Sequence, residues 1–157
     1  MKTQALTTDE HVLQIAKVFL RISLATAFLS AIADRFGLVG GYGAKNVAWG
    51  DWSHFVQFVA VLNWFLPKAL IPALAASETI IELTLGVALL LGIYRRIVAW
   101  SSAALLMLFA LTMSFALGVK VALDYSVFTA AAGALILGSI TAAPIPCRSA
   151  TAAAEPM

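Results

Sequence analysis

The chain has 157 residues, of which 62% are hydrophobic and 11% charged, against about 25% charged in an ordinary soluble domain. Its net charge of +2 and the lack of a long basic run exclude a nucleic-acid partner. A mean hydropathy of +0.94 leaves too little polar surface to wrap a core in water, so the lipid bilayer is the expected solvent. Cys147 is the single cysteine, which excludes an intramolecular disulfide and a C-x-x-C redox pair.

The start, Met1-Lys2-Thr3-Gln4 followed by Asp9 and Glu10, leads into an apolar run too long for a signal peptide and without a small-residue cleavage site. That run, 12–33, is read as a retained first span, stopped by Asp34-Arg35-Phe36-Gly37. Further spans are expected at 69–91, 97–118 and 125–141, each near the roughly 20 residues needed to cross the hydrocarbon core. Pro144 and Pro146 forbid continuation of the last one. The expected fold is all-α: an integral membrane four-helix bundle over 12–141, with 1–11 as its N-terminus and 142–157 as a flexible tail.

The connections differ in kind. Spans two and three are joined by a tight turn at Arg95-Arg96, which makes them antiparallel neighbours. Between spans three and four, Asp124 is a candidate N-cap with Lys120 in reach of it. Residues 34–68 carry Trp49, Trp52, Phe55, Phe58, Trp64 and Phe65 among polar neighbours. Phe55, Phe58 and Val59 recur at i, i+3, i+4, as a short amphipathic helix requires. Tryptophan favours the membrane interface, so this segment reads as an interfacial cap. An even number of spans puts both termini on one side. The Arg95-Arg96 turn marks that side as cytoplasmic and the cap as external.

Arg21, Glu78 and Glu82 fall inside the spans. A charge at mid-bilayer costs about 2.5–3.5 kcal/mol on insertion scales and persists where it faces the bundle and finds a partner. Counting from the span ends places Arg21 and Glu82 at similar height on antiparallel helices, as an ion pair. Glu78 lies one turn from Glu82 on the same face. Two carboxylates so close resist ionising together, so Glu78 is expected to be protonated, or to share a proton, at neutral pH. A neutral carboxylic acid there can donate to a carbonyl or relay a proton, as quinone reduction requires. Arg21 and Glu82 can equally be a structural lock between two helices. Trp52 and His54 are the candidates for the outer mouth of a quinone site, against an ordinary surface role for His54. His11 and His54 lie at opposite ends, which excludes a bis-histidine haem. No metal-ligand spacing, phosphate loop or dinucleotide fingerprint occurs. Small residues repeat at Ala110, Ser114, Gly118 and at Ala130, Ala134, Gly138, the spacing of close helix packing within a chain or between chains.

Several of these features together resemble the DoxX family of small bacterial membrane proteins. They are Arg21, the turn Ala33-Asp34-Arg35-Phe36-Gly37, the run Glu82-Leu83-Thr84-Leu85-Gly86-Val87-Ala88-Leu89-Leu90-Leu91-Gly92 and the basic turn Tyr94-Arg95-Arg96. The Trp49-Gly50-Asp51-Trp52 loop and the segment Leu123-Asp124-Tyr125-Ser126-Val127-Phe128 are similar to one branch of it. The resemblance covers about Phe19 to Ile140. It implies a four-helix bundle in the bacterial cytoplasmic (inner) membrane. It also implies a link, in some relatives, to quinone-dependent oxidation of reduced sulfur or to redox-stress defence. The expected function is therefore a quinone-binding membrane subunit of a redox system, with Arg21 and Glu82 holding the site and Glu78 handling the proton. Quinone is the one cofactor expected, with no haem, metal or flavin site. The expected partners are the bilayer, a redox subunit that supplies electrons, and further copies of the chain. The competing expectations are a non-enzymatic scaffold or assembly and stress protein with structural buried charges, and a small-solute or proton pathway.

Overall fold

The structure, a computed structural model, describes residues 8–142. Residues 1–7 and the tail beyond Ala142, with Pro144, Pro146 and Cys147, lie outside the described residues. Every regular element among the described residues is helical: α1 (Thr8–Arg35), α2 (Trp52–Leu62), a 3-10 turn (Lys68–Leu70), α3 (Ile71–Leu91), α4 (Arg95–Leu117), α5 (Val119–Asp124) and α6 (Val127–Ala142). Three helices are long and apolar enough to cross a membrane: Asp9–Arg35, Lys68–Leu91 and Arg95–Leu117. At 16 residues α6 is about 24 Å long and falls short of that length.

The first helix does not stop where its apolar run stops. Leu24, Phe28, Ile32 and Arg35 are all buried, and their spacing of i, i+4, i+8, i+11 keeps them on one face. Asp34 and Arg35 thus belong to the helix, not to the turn after it. The true stop is a Schellman motif, in which Leu38 N–H donates to Ala33 O at 2.9 Å and Gly37 N–H to Asp34 O at 3.0 Å. The same motif ends α3, with Ile93 N–H on Ala88 O and Gly92 N–H on Leu89 O.

Helix α3 buries Ala75, Thr79, Glu82, Gly86 and Leu89 along one stripe, against the stripe of α1. Gly86 allows the approach, since a Cβ there would stand 3.2 Å from Phe28 Cβ. Helices α4 and α6 form the other extensive contact. Ala110 and Ala134 are fully buried there, and a Cβ on Gly138 would press on the Trp100 indole at 2.9 Å. The small-residue spacing therefore serves packing within the chain, except at Gly118, which is exposed. The segment expected as a loop after α4 forms α5, and Asp124 closes that helix instead of opening α6. It pairs with Lys120 at 2.6 Å, one helical turn back.

Residues 37–50 fold back onto the end of α1 through a single side chain. The Asp34 carboxylate accepts from the backbone N–H of Ala48 (2.8 Å), Trp49 (3.3 Å) and Gly50 (3.1 Å). Gly50 has φ +68°, and a Cβ there would overlap the backbone of Gly41 and Tyr42. The loop thereby delivers Asp51 as the N-cap of α2, where its side chain accepts from His54 N–H. Helix α2 then lays Phe55 and Val59 into the protein, as the aromatic spacing foretells.

Asp34→Ala strands three amides, and the loss is expected to be about 2–4 kcal/mol. It should appear as a lower Tm in mild detergent and as early solvent exposure of Trp49, read by tryptophan fluorescence. An unchanged Tm would mean that the loop is held by other contacts.

Candidate functional site

At the end of α1, under α2, lies a buried charged cluster. Arg35 is 2% exposed and Glu82 equally so. Arg35 Nη2 stands 2.6 Å from Glu82 Oε2, and Arg35 Nη1 donates to Thr79 Oγ1 at 2.9 Å. Thr79 Oγ1 passes its own proton to Ala75 O at 2.9 Å. The ion pair is close but not aligned as a hydrogen bond, and Arg35 Nε is without a hydrogen-bond partner among the described residues. The Arg35 guanidinium carbon stands 3.9 Å from the centroid of the Phe55 ring and 5.4 Å from that of Trp49. The cap thus supplies π-faces to a cation that has left water.

The sequence-derived pair is corrected here: the partner of Glu82 is Arg35, not Arg21. Charges at the end of an apolar run ordinarily mark its aqueous edge, but Asp34 and Arg35 are buried. They are interior, so the midpoint of the α1 apolar run is not level with the midpoint of α3. Arg21 lies level with Gly92, since a Cβ on Gly92 would overlap its guanidinium. Fourteen residues of helix, about 21 Å, separate Arg21 from Arg35.

Glu78 is one turn from Glu82, as expected, and less buried. It lines a cavity of about 150 Å³ together with Leu62, Asn63, Ser77, Ile81 and Thr112, between α3, α4 and the end of α2. Trp52 and His54 do not line this cavity. They sit at the opposite end of α2, eleven and nine residues from Asn63, or about 16 and 13 Å along the helix. Trp52 stacks on Phe36 (centroids 5.8 Å apart, 10° between planes) and leans on Phe55, so it backs the aromatic lid of Arg35. His54 stacks on Tyr42 at 3.6 Å, and its Nδ1 is 2.7 Å from Asp51 Oδ2.

Asp51 has its carboxyl held well below the usual carboxylate range. The main cause is the His54 backbone N–H, followed by the Ser53 hydroxyl and the His54 ring. Because the folded value is depressed, the cap contributes fully above the unfolded value near 3.8 and is lost as the pH falls through the folded value.

Sequence reasoning missed Arg35, Thr79 and Asp34. The available signal was the period from Leu24 to Arg35, which continues the buried face through both charges. Among the described residues no group of three His, Cys, Asp or Glu side chains is placed to hold a metal ion. Comparison with known protein families, with curated proteins and with solved structures finds no match.

Thr79→Val removes one of the acceptors of Arg35 in a site closed to water. It should cost about 1–3 kcal/mol, read as a lower Tm than that of Thr84→Val, whose hydroxyl bonds only Ile80 O on the exposed side. Equal effects would show that Arg35 does not depend on Thr79. For Asp51→Asn, Tm should lie below the wild type between about pH 5 and 8 and lack the wild-type decline below about pH 4, so that the two converge in acid. A variant that keeps that decline would place its origin elsewhere.

Proposed function

We propose that this chain is a DoxX-like subunit of the bacterial cytoplasmic membrane that binds a quinone and couples its reduction to proton uptake. In this reading α1, α3, α4 and the shorter α6 all cross the bilayer, with both termini cytoplasmic. Helix α2 and the loops beside it lie at the external interface. Exposed Trp64 and Phe65, next to the end of α2, suit that level of the membrane.

The observation that carries the reading is Glu78. The only arginine of the cluster is taken by Glu82 and Thr79, while Glu78 stands on the wall of a cavity between apolar helices. One guanidinium among two carboxylates makes the neutral form of the cluster one that holds a proton. A cavity of about 150 Å³ suits a single six-membered ring, with an isoprenoid tail running out between α3 and α4. A carboxylic acid at Glu78 would donate to one quinone carbonyl, and Asn63 or Thr112 could hold the ring from the far side. Reduction to the quinol consumes two electrons and two protons. The two electrons would come from a reduced partner subunit, one proton from Glu78 and the second from water, which also reprotonates Glu78.

A second reading has its own support. Arg35 is sealed by Phe55 and Trp49 and ties α1 to α3, which is what a purely structural lock in a scaffold protein would do.

Protein purified in mild detergent should carry extractable quinone, or take up added quinone, and Glu78→Gln should lose at least about 90% of it, a tenfold or greater effect on affinity, with Tm unchanged. Loss of quinone only in Arg35 or Glu82 variants that also unfold would favour the scaffold. A wild type without quinone and without affinity for it sinks the proposal. Solute or proton flux in liposomes would point to a pathway instead.

A further inference from the structure

The second cavity of the molecule, about 170 Å³, lies at the end opposite the cap. Its walls come from α1, α6 and the turn between α3 and α4. Three of its lining residues are cations, Lys17, Arg21 and Arg95, and Gln14 and Thr141 add polar groups. No carboxylate among the described residues lines it. The nearest acid along α1, Glu10, is a turn beyond Gln14 and is not part of the wall.

Arg21 is not spent on structure. It has no acidic partner among the described residues, and its Nε is buried without a hydrogen bond. Gly92 is shaped to it, because any Cβ at that position would overlap the guanidinium. The carbonyls of the lining residues Ala88, Leu89 and Gly92 are already engaged. Ala88 O and Leu89 O accept from the amides of Gly92 and Ile93, and Gly92 O accepts from Arg95 Nε at 3.0 Å. The same turn begins α4, whose first turn holds no acidic residue and whose N-cap, Tyr94, makes no side-chain hydrogen bond. The positive end of α4 meets the negative end of α3 in that turn, so the field of the pocket is set by its three cations. Three positive charges at one cavity, with no counter-charge among the described residues of its wall, repel one another, and an anion is what relieves that repulsion.

We propose that this pocket binds a phosphate-bearing anion, namely the phosphodiester headgroup of an anionic phospholipid or a free phosphate of the same chemistry. Arg21 takes two phosphate oxygens through its fork of N–H donors. Lys17 and Arg95 close on the remaining charge. The apolar wall of Val18, Leu89 and Ile140 accepts the first carbons of an acyl chain when the anion is a lipid. The site does not depend on the quinone reading, since it lies at the other end of the fold.

The test is thermal unfolding of the purified full chain in detergent. Phosphatidylglycerol, phosphatidylcholine and inorganic phosphate are titrated separately, and native mass spectrometry counts bound lipid. Phosphatidylglycerol should raise Tm saturably and phosphatidylcholine should not. Each of Lys17→Gln, Arg21→Gln and Arg95→Gln should weaken the effect about fivefold. Lys68→Gln and Lys120→Gln, at the cap end, should leave it unchanged. Saturable stabilisation by inorganic phosphate with the same variant pattern assigns the site to a free phosphate, and stabilisation by the lipid alone assigns it to the headgroup. Equal Tm in all three titrations, or equal weakening by the cap-end variants, overturns the proposal. Circular dichroism of each variant without ligand separates lost binding from lost fold.

Discussion

A guanidinium buried among apolar helices has to be compensated on every side, and Arg35 is that group here. Its ion pair with Glu82 joins α1 to α3, and its bond to Thr79 fixes the rotation of α3 about its axis. Its flat faces need cover, which Phe55 and Trp49 give. Those aromatics belong to α2 and the loop before it, so the cap is positioned by the charge it covers. Asp34, one residue earlier on α1, holds the same loop by three amide hydrogen bonds. Two adjacent charges therefore organise the whole end of the molecule, one through backbone amides and the other through a carboxylate and two rings. A buried pair is not in itself a source of net stability, because desolvation offsets much of its attraction. What it supplies is a single register for α1 against α3 and a single seat for α2.

That register gives the two ends different chemistry. At the cap end, α3 carries two glutamates beside one arginine, which pairs with Glu82, and the less buried Glu78 lines a cavity between α3, α4 and the end of α2. At the other end, three cations share a cavity without an acid among the described residues of its wall. The proposed proton chemistry and the proposed anion site use these two ends separately. Helix α1 reaches both, since its 28 residues extend about 42 Å, more than the roughly 30 Å of a hydrocarbon core.

The helical class and the apolar character of three long helices were legible in the sequence, because hydropathy over some 20 residues is a strong signal. The short amphipathic helix was legible from Phe55, Phe58 and Val59. Glu82 and Glu78 were legible as interior because they interrupt an apolar run. Arg35 was not, because charges at the end of such a run ordinarily mark water. Only the cap, a long-range feature, makes that position interior. Arg21 shows the reverse. It stands within an apolar run, yet the tertiary register sets it beside the turn at Gly92. Asp124 offered two roles in the sequence, N-cap of α6 and partner of the lysine four residues earlier, and the short helix α5 makes use of the second.

The account rests on Arg35, not Arg21, being the partner of Glu82, and a double-mutant cycle in reconstituted lipid tests that most directly. Unfolding free energies would be measured for Arg35→Met, Glu82→Gln and the double variant, and in parallel for Arg21→Met with Glu82→Gln. The account predicts a coupling of about 1–3 kcal/mol for the first pair and additivity within about 0.5 kcal/mol for the second. Coupling between Arg21 and Glu82 with additivity at Arg35 would contradict the register of α1 on α3 and every assignment made from it.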